Sequence, residues 1–414
     1  MSPTRSASSG ASWIHAPEVH AVMYGLLLIA TPFILLRNYL VQAISVLSDT
    51  SVSPFGVETK VVPVGVILAL IVLLIIYRKR ISKLSLLAVA IVILLIALAQ
   101  QVTDYYFGHN FYDLQQNWHY FAYGLFAFMV YRALKFRGLP LYRIMLITYF
   151  SAFGLSLFDE FFQMFMSSRI FDVCDIGKDV WGVYMGMILV YFSWHPQALF
   201  KDWKKIRHPR IKNYYTHPFT LLLLLFFLSF TFLNIGSILT ETEYAPLVFA
   251  IAIITFLLFW AVWHISRYRN GKIVLLGSLT VVILFQSFFL FKYYDKNIIH
   301  NRYGLTVYKG IPIPFFDFMV YPNGALRLVD KKHFFNQRDR DFLLKQKTDI
   351  ILIGSGVDGK GGKGFADPRH LFLYNKWSKS GTQIIIQDNL EATKTFNRLK
   401  SEHKNVLFVI HNTC

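Results

Sequence analysis

Residues 158–186 read FDEFFQMFMSSRIFDVCDIGKDVWGVYMG and join two long apolar runs through a short charged loop. The first run ends with Asp159, Glu160 and Gln163, and the second is opened by Asp179. Charged side chains at the ends of membrane-length segments are costly, and they usually mark a functional site. This stretch is therefore the candidate functional site of the chain.

The composition of the whole chain is that of a membrane protein. Its 414 residues are 55% hydrophobic and only 16% charged, whereas a soluble domain carries about 25% charged residues. The formal net charge of +18 would also suit a nucleic-acid-binding protein. However, the Lys and Arg residues are concentrated in short loops between apolar runs, as the positive-inside rule predicts for a membrane protein. We therefore expect no nucleic-acid partner.

The chain contains only two cysteines, Cys174 and Cys414, which exclude a disulfide framework and a cysteine-based zinc site. We expect two unpaired thiols, with a bridge between them as the alternative. The first 20 residues are polar and show no cleaved signal peptide. No cofactor is expected.

The apolar pattern predicts a polytopic α-helical membrane bundle followed by a small layered α/β soluble domain. A bilayer requires about 20 apolar residues per helix. About nine segments approach that length, at 21–41, 61–77, 84–100, 118–134, 142–165, 179–195, 218–239, 245–264 and 273–292. The predicted domains are a polar N-terminal tail at 1–20, a first membrane domain at 21–195, a basic cytoplasmic loop at 196–217, additional membrane helices at 218–292 and the α/β domain at 300–414.

Basic and non-basic loops alternate along the chain. Lys and Arg are concentrated at 78–83, 132–143, 201–212 and 267–272, whereas the intervening loops are poor in them or acidic. By the positive-inside rule, the basic loops face the cytoplasm. We then expect the loop at 167–178, and everything after the last span, to face outward.

The spacing of polar residues resembles the signature of VanZ-like membrane proteins, E-x-x-Q followed by R-x-x-D-x-x-D-x-x-x-N-x-x-G-x-x-x-G. The matching residues are Glu160, Gln163, Arg169, Asp172, Asp175, Gly182 and Gly186, and Asp179 stands where the family has Asn. A second family element, D-K-x-x-H-x-x-x-Y, is matched by His119 and Tyr123, with Gln115 and Gln116 in place of its charged pair. The resemblance covers about residues 20–195. It implies resistance to glycopeptides of the teicoplanin type, with no settled reaction.

Three roles are open for these polar residues. In the first, Arg169 neutralises Asp172, Asp175 or Glu160 and links the loop to the helix ends. In the second, the residues bind a charged or sugar-bearing lipid. Arg169 binds the phosphate or carboxylate of this lipid. His119 or Glu160 acts as the acid or base, and Asp175 is a further candidate for that role. In the third, their oxygen atoms hold a hard cation.

The second apolar run carries two signals for helix structure. Asp179 is expected to cap the start of this helix, where a carboxylate accepts hydrogen bonds from free amides. Gly182 and Gly186 form G-x-x-x-G, which lets two membrane helices approach closely. We expect packing inside the bundle, with dimerisation as the alternative.

After about residue 300 the pattern becomes that of a soluble α/β domain. Strands at 318–321 and 325–329 flank the turn signal Pro322-Asn323-Gly324. Further strands are predicted at 349–353, 382–386 and 405–410, and helices at 338–347, from Asp367-Pro368 to about 379, and at 390–403. Alternating strands and helices favour a layered domain.

This tail resembles a small α/β domain found in archaeal and bacterial proteins and in a mitochondrial complex I assembly factor. The matching features are Tyr321-Pro322-Asn323-Gly324, the strand DIILIGSGVDG at 349–359, the helix segment 391–397 and the ending VIHNTC. The resemblance implies assembly or protein interaction, and the family has no established enzyme activity.

Gly354, Gly356 and Gly359 satisfy G-x-G-x-x-G after a strand, and Lys360 follows them. A P-loop is excluded because Gly361 stands where Ser or Thr should bind Mg²⁺. A dinucleotide site is disfavoured because no helix is predicted to open at the motif. We expect a tight turn, with anion binding by the turn amides and Lys360 as the alternative.

Together these features predict a VanZ-like protein of the bacterial cytoplasmic membrane that acts in the cell envelope and affects glycopeptide susceptibility. Its partners would be membrane lipids and an envelope or lipid-linked substrate. The first alternative is a membrane enzyme acting on a lipid-linked or polyprenyl-phosphate substrate. The second is a membrane-anchored docking protein that binds a protein partner through its C-terminal domain. Whether the chain is an enzyme stays open.

Overall fold

The computed structural model describes residues 13–35, 38–53, 58–77, 81–106, 113–165, 171–365 and 370–413. They form two compact units. The first is drawn from residues 1–100 and 109–233, and the second from residues 101–108 and 234–414.

The first unit is a helical bundle built around one buried helix. Its helices are α1 (Pro17–Leu35), α2 (Asn38–Asp49), α3 (Val61–Tyr77), α4 (Lys83–Val102), α5 (Leu114–Leu134), α6 (Leu141–Gln163), α7 (Val173–Trp194), α8 (Pro196–Phe200), α9 (Ile211–Thr216) and α10 (Pro218–Ile238), with a short hairpin of β1 (Ser51–Val52) and β2 (Thr59–Lys60). Nearly all side chains of α7 are buried, and α7 packs against α5 and α6. The last turns of α4 and α10 belong to the second unit.

A helix lies at each of the nine predicted apolar segments. Among the described residues, five helical segments are long and apolar enough to cross a membrane: Lys83–Val102, Leu141–Gln163, Pro218–Ile238, Thr242–Ile265 and Arg269–Tyr293. The helical, membrane-type character of the chain is therefore confirmed, whereas the count of nine membrane-spanning helices is not.

The second unit carries two helices followed by an α/β domain. The helices are α11 (Ala245–Ile265) and α12 (Arg269–Tyr293), and a three-stranded antiparallel sheet follows, made of β3 (Ile298–Arg302), β4 (Leu305–Tyr308) and β5 (Ile311–Pro314). A six-stranded sheet has the order β7-β6-β11-β8-β10-β9. Its strands are β6 (Phe318–Val320), β7 (Leu326–Leu328), β8 (Ile350–Gly354), β9 (His370–Asn375), β10 (Ser380–Gln387) and β11 (Val406–Ile410), and its helices are α13 (Gln337–Lys345) and α14 (Asn389–Ser401).

The six-stranded sheet has an apolar core on each face. One core joins the sheet to α14 and to the three-stranded sheet, and it includes Phe396 and Phe408. The other joins the sheet to α13 and includes Phe335 and Leu343. Tyr106, which follows α4 in the chain, is a fully buried member of this second core. A segment between α4 and α5 therefore contributes to the interior of the α/β domain.

Hydrogen bonds that involve backbone groups link two connections, one after α4 and one after α10, to the α/β domain. The amide of Tyr105 donates to Asp330 Oδ1 at 2.6 Å. The segment after α10 is held through the amide of Lys331, which donates to the Ile238 carbonyl at 2.9 Å, and through Thr240 Oγ1, which donates to the Lys331 carbonyl at 2.8 Å. The connections at 101–106 and 239–244 thus lie on the same domain.

The expected hairpin at 318–329, the first and last helices and the three later strands of the α/β domain are confirmed within a residue or two. The predicted helix from Asp367 to about 379 is wrong, because residues 370–375 form strand β9; Asp367 and Pro368 themselves lie outside the described residues. The sequence HLFLYN pairs antiparallel with β10 over six residues, and Lys379 takes a positive φ of 54° in the turn between them. Tertiary pairing overrides the local helix-start signal here. The sheet of β3, β4 and β5 was not predicted.

Candidate functional site

Two glycines let α5 and α7 approach at the site. A Cβ atom added to Gly182 would lie 2.9 Å from the His119 carbonyl oxygen and from Tyr120 Cα. One added to Gly186 would lie 2.8 Å from Gly124 Cα and in contact with the Gly124 carbonyl oxygen. The two backbones therefore meet with no room for side chains, and polar residues on both helices come within hydrogen-bond distance.

Asp179 joins three helices through its two oxygen atoms. His119 Nδ1 on α5 lies 2.7 Å from Asp179 Oδ1, and Ser156 Oγ on α6 donates to Asp179 Oδ2 at 2.6 Å. The side chain of Asp179 is buried, whereas His119 keeps 24% of its side-chain surface exposed. Asp179 thus fixes the orientation of the imidazole and leaves its Nε2 edge towards Asp175, at 3.8 Å.

Asp179 does not cap α7, contrary to the expectation from the sequence. The helix begins earlier, at Val173, and Asp172 is its N-cap, with Oδ1 accepting from the Cys174 amide at 2.8 Å. Asp179 therefore lies about two turns inside the helix, and its carboxylate is available to side chains on neighbouring helices.

Glu160 links the end of α6 to the start of α7. Its Oε1 accepts from Gln163 Nε2 at 2.9 Å, and its Oε2 accepts from the Asp172 amide at 2.9 Å. Both oxygen atoms are thus bonded although the residue is only 2% exposed. Next to it, Asp159 Oδ1 is buried and has no hydrogen-bond partner among the described residues.

Lys178 is the cation of the site. Its Nζ donates to Asp175 Oδ1 at 2.7 Å and to Gln116 Oε1 on α5. The lysine is almost fully buried, and Asp175 retains 21% of its side-chain surface. Asp175 therefore lies between Lys178 and the Nε2 edge of His119, at the accessible side of the network.

The polar residues form two hydrogen-bonded groups, one around Asp175 and Asp179 and one around Glu160. Together they are called the polar cluster below: Gln116, His119, Ser156, Asp159, Glu160, Gln163, Asp172, Asp175, Lys178 and Asp179. Of the residues predicted from the sequence, His119, Glu160, Gln163, Asp172, Asp175 and Asp179 belong to it. Tyr123 is buried one turn after His119 on α5. Arg169 lies outside the described residues, so the ion pairs expected of it are not described.

Four members of the polar cluster, Gln116, Ser156, Asp159 and Lys178, were not among the predicted site residues, and Asp159 is the chain neighbour of the predicted Glu160. Lys178 follows Asp175 at i+3, a spacing that predicts a side-chain contact on a helix. Ser156 precedes Glu160 by four residues and so lies on the same helical face. Gln116 was noted only as one of two residues that replace the charged pair of the family element before His119, and nothing in the sequence predicted its contact with Lys178.

The polar cluster contains five carboxyl groups, on Asp159, Glu160, Asp172, Asp175 and Asp179. Lys178 and His119 are its only potential cations among the described residues. Carboxylates accept hydrogen bonds from hydroxyl and ammonium groups, and His119 with Asp175 offers a proton donor and acceptor at the accessible side. No group of three His, Cys, Asp or Glu side chains within the described ranges has the arrangement needed to hold a metal ion.

The glycine-rich loop after β8 forms a closed turn. Gly356 and Gly359 have positive φ values of 90° and 68°. Gly354 packs against Asn389, whose Oδ1 also accepts from the Gly356 amide at 3.0 Å. Lys360 is half exposed and lies 3.6 Å from Asp358. No helix begins at the motif, so the loop lacks the context of a dinucleotide site.

Comparison with known proteins gives a family match for one part of the chain. Residues 100–195 match the family model described as VanZ/LLP1, and this match contains α5, α6, α7 and every member of the polar cluster. No curated protein matches the chain. Among solved structures, the chain is similar to MT938, with 23% identity, 28% of this chain and 98% of that chain covered, and a TM-score of 0.23. It is also similar to the conserved hypothetical protein PH1505 from Pyrococcus horikoshii OT3, with 22% identity, 28% and 99% coverage, and a TM-score of 0.21.

Proposed function

We propose that this chain, a VanZ-like membrane protein by its domain at residues 100–195, lies in the bacterial cytoplasmic membrane and lowers the susceptibility of the cell envelope to glycopeptides of the teicoplanin type. The observation that supports this proposal is the polar cluster, which gathers ten polar side chains from three apolar helices. Burying so many polar groups is costly unless they are paired. Ionisable side chains gathered among apolar helices usually mark a functional site.

In this proposal the accessible edge of the polar cluster binds the polar part of an envelope molecule. His119 and Asp175 are partly exposed and would contact the ligand, and Asp179 and Lys178, which contact them directly, would hold them in position. Glu160 would fix the start of α7, the helix that carries Asp175, through the Asp172 amide. Carboxylate and imidazole groups suit hydroxyl-rich or amine-bearing ligands, which glycosylated or lipid-linked envelope molecules carry.

The test is the teicoplanin susceptibility of cells that express the chain. We expect wild-type protein to raise the inhibitory concentration, and His119→Gln and Asp175→Asn to return it to that of cells without the protein. Glu402→Gln, at an exposed carboxylate of the α/β domain, is the control and should behave as wild type. If both cluster variants protect as well as wild type at equal membrane abundance, the proposal fails.

An enzyme acting on a lipid-linked or polyprenyl-phosphate substrate is the second candidate. The contact of His119 Nδ1 with Asp179 favours it, because a carboxylate on one imidazole nitrogen sets the other nitrogen for proton transfer. The prediction is that purified protein converts such a substrate and that His119→Gln lowers turnover by about 10²-fold or more. Equal turnover by the variant, or no product with any lipid-linked substrate tried, would contradict this candidate.

A further inference from the structure

The connection between α7 and α10 carries a dense positive charge. Residues 201–212, called the basic loop here, contain six cationic residues and one acidic residue: Lys201, Lys204, Lys205, Arg207, Arg210, Lys212 and Asp202. Asp202 pairs with Lys205 at 3.0 Å, and both side chains are exposed. Among the described residues, the other five cations form no ion pair with an acidic group. The loop therefore presents an uncompensated positive surface.

Buried side chains anchor the basic loop to α9 and α10. His208 is 7% exposed, and its Nε2 lies 3.2 Å from Thr220 Oγ1 in the first turn of α10. The His208 ring also packs edge-on against Tyr214, which is fully buried. The cationic side chains therefore project from a fixed backbone, which lowers the entropic cost of binding.

The basic loop lines an open concavity and carries an aromatic side chain beside it. The concavity has a volume of about 460 Å³ and is lined by Lys204, Lys205, Ile206, Arg207, His208 and Pro209. Trp203 is half exposed and packs against Phe219 at 6.3 Å between ring centroids. Trp side chains favour the boundary between lipid and water.

We propose that the basic loop binds the headgroup of an anionic phospholipid in the bilayer that α10 enters. Arg207 would bind the phosphate through its planar fork, and Lys204 and Lys205 would add point charges. The ligand is a membrane lipid and not free phosphate, because the loop ends six residues before Pro218, where a membrane-length apolar helix begins, and because Trp203 provides a contact for the interfacial part of the lipid. This site is separate from the polar cluster and does not depend on its function.

The test uses the full chain in nanodiscs of phosphatidylcholine mixed with phosphatidylglycerol, with the retained lipids measured by mass spectrometry. A basic residue near an anionic surface contributes roughly a fivefold preference. The preference is the ratio of retained phosphatidylglycerol to retained phosphatidylcholine. We expect this ratio to be lower than in the wild type by about tenfold or more in the triple variant Lys204→Gln, Lys205→Gln, Arg207→Gln. The matched control is Lys394→Gln, Arg398→Gln, Lys404→Gln, which removes three exposed cations of the α/β domain and should retain the preference.

A second measurement localises the contact. The fluorescence of Trp203 is the part of the signal that is lost in Trp203→Phe. Brominated phosphatidylglycerol should quench this fluorescence more strongly than brominated phosphatidylcholine does. The proposal is overturned if the triple variant keeps the wild-type preference, or if the control loses as much. It is also overturned if inorganic phosphate competes fully with phosphatidylglycerol, since the ligand would then be the free anion. Melting temperatures of the variants in detergent, equal to wild type, exclude misfolding as the cause of a loss.

Discussion

Lys178 shows how one side chain can decide the stability of a buried network. Its Nζ is nearly excluded from solvent and lies 2.7 Å from Asp175. Replacement by Met would take this ammonium donor away from Asp175, which is 21% exposed and also lies 3.8 Å from His119 Nε2. Loss of a hydrogen-bond donor by such a group costs about 1–3 kcal/mol. We expect Lys178→Met to lower the melting temperature of the detergent-solubilised protein clearly.

The matched control for this change is Lys205→Met. Lys205 also pairs with an aspartate three residues away, Asp202, but both side chains are exposed. Solvent screens such pairs, which contribute little to stability. An equal loss of melting temperature in the two variants would show that burial does not increase the contribution of the Lys178–Asp175 pair to stability.

The buried carboxyl group of Asp330 makes the stability of the α/β domain depend on pH. Burial raises the pKa of this carboxyl from 3.8 to about 7, and Lys332 opposes the rise. Because the pKa in the folded protein exceeds that in the unfolded chain, folding favours the protonated form, and the contribution of this group to stability is lost as pH rises through about 7. We expect the domain to melt at a lower temperature at pH 8 than at pH 6.

Asp330→Asn should flatten this pH dependence, because Asn keeps an acceptor for the Tyr105 amide and does not titrate in this range. The measurement is the melting temperature across pH 5–9, and Asp349→Asn, at an exposed carboxyl, should keep the wild-type profile. If the melting temperature of Asp330→Asn falls with pH as steeply as that of the wild type, another group causes the pH dependence.

At the scale of elements, the contact of α5 with α7 depends on the missing side chain of Gly186. A Cβ atom there would overlap the Gly124 backbone, and overpacking of this kind costs about 1–3 kcal/mol. We expect Gly186→Ala to lower the melting temperature. Gly154 lies in α6 with no atom within 4 Å of an added Cβ, so Gly154→Ala should be neutral or slightly stabilising. If both substitutions change the melting temperature equally, helix propensity explains both effects, and the close approach of α5 and α7 does not.

Periodicity and spacing predicted some elements and failed for others for physical reasons. The helix faces of Glu160 and Gln163 followed from their i,i+3 spacing, and the hairpin at 318–329 followed from its turn residues. Strand β9 was missed because Asp367-Pro368 is a local helix signal, whereas the pairing of β9 with β10 is non-local. The contact between His119 and Asp179 joins residues 60 positions apart, so it emerges only when α5 packs on α7.

At the scale of the whole molecule, the α/β domain includes a segment that follows α4. Tyr106 is fully buried against Phe335 and Phe342, with ring centroids 5.8 and 6.2 Å away. Removing a buried aromatic ring costs about 3–5 kcal/mol. We expect Tyr106→Ala to expose the domain to limited proteolysis, whereas Tyr303→Ala, at a mostly exposed tyrosine, should not. Resistance in both variants would show that the segment contributes nothing to domain stability.

The central claim is that the polar cluster serves a function and does not merely join helix ends. Glu160→Gln tests it most directly, because Gln preserves size while it removes one carboxylate oxygen from a residue that bonds both Gln163 and the Asp172 amide. The measurement is the teicoplanin inhibitory concentration of cells at matched membrane abundance of variant and wild type. We expect loss of protection while the protein still accumulates and melts cooperatively. Full protection by the variant at that abundance, or loss of protection only through loss of the protein, would contradict it.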